Sequence, residues 1–412
     1  MDDAFFRRER ARLLAALTRV FGVANLALAE DVCQETLARA FEAWSFDGVP
    51  EHASALLVAS AKNRALDVFR RERTARRFAP EIGRHIESEW TLRPVVEELF
   101  LPAALADDEL RMMFSCCHPQ LEEEAQVALI LNMVCGFRAV EVAGIYLASV
   151  AAVEKRITRA KKVLGGSQRL FELTAADFAP RLAAVHRALY LLFSEGYHGA
   201  SEDVVRGPLC REAMRLAGLL VDHAPAATSA THALAALMYL GAARLSARTD
   251  AVGDLTALPE QDRSRWDARL IADGLALLER SASGTEISPY HLEAAIAGLH
   301  VSAPSAAATP WPEIVGLYDA LLRIRPSPVV ALNRAMALAY VEGPARGLEA
   351  VAAVDGGDRL RGYPFYEAAL GELELRCGRL EAARRHFEAA HALARNEPER
   401  RFLTRRISAC SN

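Results

Sequence analysis

Apolar residues recur along almost the whole chain at helical spacing, and no stretch alternates with period two for long. Alanine and leucine dominate, and runs of β-branched residues are few. A chain patterned in this way buries stripe against stripe, helix on helix, so its fold class is read as all-α. At 412 residues it has room for about two to four domains. A hydrophobic share of 52% beside 25% charged residues suits globular folding and argues against disorder.

The periodicity divides the chain into blocks. The first holds Ala4 to Phe21, then Ala29 to Trp44 with Val32, Leu37, Ala40, Phe41 and Trp44 facing inward, then a loop from Ser45 to His52. A long helix from Ala53 to about Arg76 follows, with a basic C-terminal half. Positive charge near a helix C-terminus also suits the macrodipole. Pro80, Gly83, Pro94 and Pro102 mark a linker, set at 79–105 between blocks 1–78 and 106–166. The remainder, 167–412, has helical stretches at Pro180 to Phe193, Cys210 to Val221, Thr231 to Arg248, Trp266 to Arg280 and His291 to His300. From about Val329 two helical hairpins follow one another. Their turn glycines, Gly343 and Gly378, are separated by close to the roughly 34-residue period of tetratricopeptide repeats.

The second block ends in Gly136 to Leu164, GFRAVEVAGIYLASVAAVEKRITRAKKVL, which reads as two helices around a tight turn. Val153, Ile157, Ala160 and Leu164 make one apolar stripe, which Val142, Ala143 and Leu147 would cover. Lys155, Arg156, Arg159 and Lys162 project elsewhere. The spacing fits a helix-turn-helix whose second helix enters a DNA major groove, and it fits a plain hairpin with a solvated basic face equally well. Net charge is −4, but its distribution matters more than its sum. Lys62, Arg64, Arg70, Arg71, Arg73, Arg76 and Arg77 cluster against only Asp67 and Glu72, and much of the acidity lies elsewhere.

Taken with these segments, AEDVCQETLARAFEAW (Ala29 to Trp44) and ASALLVASAKNRALDVFRRERTARR (Ala53 to Arg77) resemble the region-two domain of extracytoplasmic-function (ECF) RNA polymerase sigma factors. The family pattern stands as Ala61, Asn63, Arg64, Ala65, Asp67, Arg70 and Arg71, and Gly136 to Leu164 resembles region four. FSCCHPQL (Phe114 to Leu121), LYLLFSEGY (Leu189 to Tyr197), EQDRSRWD (Glu260 to Asp267) and PVVALNRAMA (Pro328 to Ala337) resemble the subgroup with a long C-terminal tetratricopeptide-like extension. Two departures stand out. Leu56 replaces a common aromatic, and the recognition helix begins with Ala151 and Ala152, leaving few base-edge donors there.

The resemblance implies a transcription initiation factor that binds core RNA polymerase and promoter DNA and performs no catalysis. It implies a region-two domain at 1–78, a region-four domain at 106–166 and a regulatory helical extension at 167–412. Asp31, Gln34 and Glu35 would meet the polymerase clamp, as a carboxylate and amide face suits Arg-rich partners. Asn63 would hydrogen-bond a base flipped from the minus-ten element, beside the loop Phe46 to His52. Arg64, Arg70, Arg71 and Arg73 would bind phosphates. Ala152, Lys155, Arg156 and Arg159 would face the minus-thirty-five element, where Arg can read guanine with two hydrogen bonds. Lys161 and Lys162 would touch phosphate or stay solvated.

Other clusters carry less. Cys116, Cys117 and His118 have the wrong spacing for zinc, and no second pair follows. His186, Glu195 and His198 lack a second signature, and no phosphate loop, metal motif or nucleophile motif follows residue 170. No cofactor is expected. Glu260 to Asp267 reads as a contact loop. Seven scattered cysteines, no apolar run near 20 residues and a charged N-terminus point to the cytoplasm rather than a membrane or export. Two other readings stay open: a DNA-binding head fused to an unrecognised enzyme, or to a protein-binding adaptor.

Overall fold

The apolar stripes wind as helices in the computed structural model, which describes residues 3–71, 96–146, 148–166, 173–199, 205–355, 360 and 362–410. Among these no strand forms, and the one extended pairing is an isolated bridge between Thr249 and Leu255. The fold is all-α. The chain divides into two compact units, 1–192 with 218–226, and 193–217 with 227–412.

The first unit is built on α1 (Asp3–Phe21), whose Leu13, Leu14, Leu17, Val20 and Phe21 are at most 1% exposed. Each such side chain contributes roughly 1.5–3 kcal/mol of hydrophobic stabilisation. Around it lie α2 (Leu26–Asp47), α3 (Ala53–Arg71) and α4 (Pro102–Ser115). Next come α5 (Glu123–Met133), α6 (Ala139–Tyr146) and α7 (Val150–Gly165), then the single turn α8 (Ala175–Phe178). The Phe178 ring meets Phe114 edge-on at 4.6 Å and lies 4.6 Å from the His223 ring. Arg181 donates to the Phe114 carbonyl at 3.1 Å. The chain leaves this unit within α9 (Leu182–His198) and re-enters it within α10 (Gly207–Asp222).

The second unit continues through α11 (Ser229–Ala242), α12 (Ala268–Ser281), α13 (Pro289–Ser302) and α14 (Trp311–Ile324). After these follow α15 (Pro328–Val341), α16 (Pro344–Ala352), α17 (Pro364–Arg376), α18 (Leu380–Leu393) and α19 (Glu397–Ala409). Gly343 and Gly378 turn the last two hairpins with φ of +94° and +75°, the left-handed region that favours glycine. The C-terminal helix α19 returns to the segment after α11. Arg401 pairs with Asp254, and Arg405 reaches Asp250 at 3.0 Å and the Leu255 carbonyl at 2.9 Å. Glu260 to Asp267 is the contact loop expected, with Trp266 buried and Arg263 donating to the carbonyls of His300 (2.7 Å) and Ala303 (2.9 Å).

Several expectations need correcting. Helix α2 begins at Leu26 and runs to Asp47, so the loop is shorter than Ser45 to His52. Phe41 does not face the core. It is 52% exposed and touches Phe6 edge-on at 5.9 Å. The stretch Thr231 to Arg248 breaks after Ala242 into a 3-10 turn at Leu245–Ala247. Pro102, placed in the linker, is the first residue of α4, where its missing N–H is harmless. Residues 79–95 of that linker lie outside the described residues.

Candidate nucleic-acid interface

Two exposed surfaces of the first unit collect the residues singled out in the sequence. The first is the α2–α3 hairpin. Gly48 closes α2 with φ of +81°, its N–H donating to the Trp44 carbonyl at 3.1 Å, and α3 starts at Ala53. Leu57, Ala61, Ala65 and Phe69 anchor α3 in the core. Leu56, Ser60 and Asn63 fall on its opposite, exposed face, within two turns. Phe46 (91% exposed) and Val49 stand open to solvent at the end of the hairpin. This combination of bare apolar groups and an unburied amide suits a flat aromatic ligand with a polar edge.

Asp31 and Gln34 are exposed on α2, but Glu35 and Arg64 are joined to each other. The Arg64 guanidinium donates from Nε to Glu35 Oε2 at 2.9 Å and from Nη2 to Glu35 Oε1 at 2.6 Å, and Arg39 also reaches Glu35 at 2.8 Å. Residues assigned to two different surfaces therefore form one ion pair. Arg70 and Arg71 are the last residues of α3, and Arg73 lies outside the described residues.

The second surface is α7. The turn before α6 needs Gly136, with φ of +69° and Arg7 so close that a Cβ would lie 3.2 Å from its Cβ. Ser149 caps α7, its hydroxyl accepting from the Ala152 N–H at 3.3 Å. Val153, Ile157, Ala160 and Leu164 are buried as expected, as are Val142 and Ala143; Leu147 lies outside the described residues. Ala152, Lys155, Thr158, Arg159 and Lys162 are exposed. Arg156 is half-buried, paired with Glu124 at 3.1 Å and lying over the Tyr146 ring at 5.9 Å. Glu124 and Tyr146 were missed in the sequence, because nothing local signals a partner supplied by another helix.

The two surfaces are tied together. Lys161 is neither solvated nor free for phosphate, since its Nζ meets Glu30 of α2 at 2.5 Å. Arg7 of α1 forks onto Glu141 of α6 at 3.1 and 2.9 Å, and Arg10 donates to the Asn132 carbonyl at 2.9 Å. Fork-shaped Arg–carboxylate pairs fix orientation as well as adding energy.

Elsewhere, Cys116 and Cys117 are buried core residues, and His186 is buried and held neutral, burial lowering its pKa to about 4. Among the described residues no group of three or more His, Cys, Asp or Glu is placed to hold a metal. No single described helix is long and apolar enough to cross a membrane.

Comparison with known proteins adds three findings. Residues 5–75, spanning α1 to α3, match Sigma-70 region 2. Residues 181–282 match a family of unknown function, DUF6596. An uncharacterized protein of Rhizobium meliloti (strain 1021) is 38% identical over 398 residues, covering 96% of this chain and 92% of that protein. No solved structure matches.

Proposed function

Since the chain belongs to the same family as this Rhizobium meliloti protein and carries a Sigma-70 region 2 domain, we propose that it is a sigma factor of the ECF type. In this reading it directs core RNA polymerase to a subset of promoters in the cytoplasm and performs no chemistry of its own. The observation that carries the proposal is the region 2 match over α1 to α3, with Asn63 exposed on the face of α3 that points away from the core.

Asn63 takes the flipped base of the minus-ten element, with Phe46, Val49 and Leu56 as its apolar surround. Arg70, Arg71 and Arg73 bind the strand's phosphates. Arg64 joins them only by exchanging Glu35 for phosphate. Asp31 and Gln34, with Glu35 once released, face the polymerase. Ala152, Lys155 and Arg159 meet the minus-thirty-five element as the exposed face of a helix-turn-helix, while Arg156, held by Glu124, orients it. The domains are region two at 1–78 and region four at 106–166, and the extension from 167 regulates them, its hairpins from about 329 being tetratricopeptide-like and suited to a protein partner.

The test is run-off transcription from genomic fragments with the full chain and core polymerase. Promoter-specific transcripts are expected, and Asn63→Ala should abolish strand opening while sparing polymerase binding. Absence of any specific transcript from the unaltered chain refutes the proposal.

A further inference from the structure

The second unit holds a group of cations that pair with no carboxylate among the described residues. Arg244 and Arg248 flank the 3-10 turn Leu245–Ala247 after α11. The Arg248 guanidinium lies over the Tyr197 ring at 4.0 Å, and Arg244 lies over the same ring at 5.9 Å. Arg248 Nη2 donates to His198 Nδ1 at 3.4 Å, and Arg395 donates to the His198 carbonyl at 3.4 Å. Arg263 is close enough to Arg244 to feel its charge. The nearby acids are already matched, Glu399 with Arg395 at 2.6 Å and Glu195 with Arg206 at 3.5 Å. Among the described residues no carboxylate pairs with Arg244, Arg248 or Arg263; Glu202 and Asp203 lie outside them. The Nε atoms of Arg244 and Arg248 are also buried without a hydrogen-bond partner among the described residues.

Like charges held together out of bulk water are costly unless something offsets them. The end of α11 and the Tyr197 ring offset part of that cost. His198 shows that water still reaches the place. Its side chain is exposed, yet burial, then Arg248, Arg244 and Arg395, push its pKa down to about 3. Tyr197 is buried, which alone would push its phenol up, but Arg244 and Arg248 outweigh burial and hold it below its usual value.

We propose that Tyr197, His198, Arg244 and Arg248 form a binding site for the phosphoryl group of a small anionic ligand. Guanidinium forks match phosphate oxygens two by two, and two arginines without acids match a dianion. Arg263, whose charge is felt by Arg244, is itself held by its contacts to the carbonyls of His300 and Ala303. The site lies in the segment matching the family of unknown function and does not depend on promoter recognition by the first unit.

The experiment is calorimetric titration of the full chain with pyrophosphate, with sodium chloride at matched ionic strength as reference. Saturable binding is expected. It should fall at least about tenfold in Arg244→Gln and in Arg248→Gln, as charge-assisted pairs are lost. Arg248→Lys, which keeps the charge but loses the fork, should weaken it by less than Arg248→Gln does, and Arg346→Gln, an exposed arginine paired with Glu342 and Glu349, should change it by less than about threefold. Helical content by circular dichroism accompanies each variant; if Arg248→Gln fails to fold, Arg244→Gln and Arg248→Lys decide. Binding that is unsaturable, that survives both glutamine variants, or that is seen with duplex DNA and not with pyrophosphate overturns the proposal.

Discussion

Asp108 is completely buried in α4, with one oxygen 2.7 Å from Arg19 and the other without a hydrogen-bond partner among the described residues. Burial pushes its carboxyl up to about 6 in spite of the arginine. An acid whose folded pKa exceeds its unfolded value favours the folded state while protonated. Stability should therefore decline as pH rises from about 4 through about 6, by on the order of 2–3 kcal/mol, and level off above. Asp108→Asn should flatten that decline in denaturant midpoints; an unchanged decline clears Asp108 of the effect. Single residues such as this were the least legible part of the sequence. The exposed place of Asn63 on α3 was readable because its neighbours form a pattern along one helix. Glu35 and Arg64 were each readable as to type, but their pairing depends on how α2 crosses α3, which no local spacing encodes. Phe41 misled for a related reason: a period places it on the α2 stripe, yet the stripe is wider than the surface available to cover it.

At the level of elements, α7 separates stability from contact. Ile157→Ala empties a buried site and should cost about 2–5 kcal/mol, read as a lower melting temperature. Arg159→Ala should leave melting unchanged and reduce the salt dependence of promoter binding by about one phosphate contact. Lys161→Ala should leave that salt dependence alone, since Lys161 is committed to Glu30; a reduced slope would show instead that Lys161 turns to DNA. In the second unit, Gly371 of α17 faces Phe387 of α18 so closely that a Cβ would lie 2.8 Å from the ring. Gly371→Ala should destabilise by about 1–3 kcal/mol through overpacking, and an equal or higher melting temperature would count against that tight approach. Element types were widely legible, because the apolar stripes of α1, α3 and α7 are long and their faces polar. Helices α14 and α19 fall outside the stretches read as helical in the sequence. Helix α14 follows a run of Ser, Ala and Pro, and α19 is dense in charge, with only Leu403 of its hydrophobic residues before Cys410 buried.

At the scale of the molecule, the boundary between units was not legible. Gly165 and Gly166 look like a natural stop, yet α8, the start of α9 and residues 218–226 all belong to the first unit. A chain ended at Gly166 lacks Phe178 and Arg181, and so leaves Phe114 without its ring contact and its carbonyl without that donor. Such a chain should melt several degrees lower per roughly 1 kcal/mol lost, and it should do so before any question of regulation is asked. Equal melting of the first unit in the short and full chains would refute this. The interleaving also bears on synthesis. Domains generally fold as units in the order they leave the ribosome. Here the first unit has its His223 side chain against Phe178 only after 193–217, which belongs to the second, has already emerged. The half that carries the helices proposed to read the promoter is thus completed late, with the nascent chain past its midpoint and the other half begun.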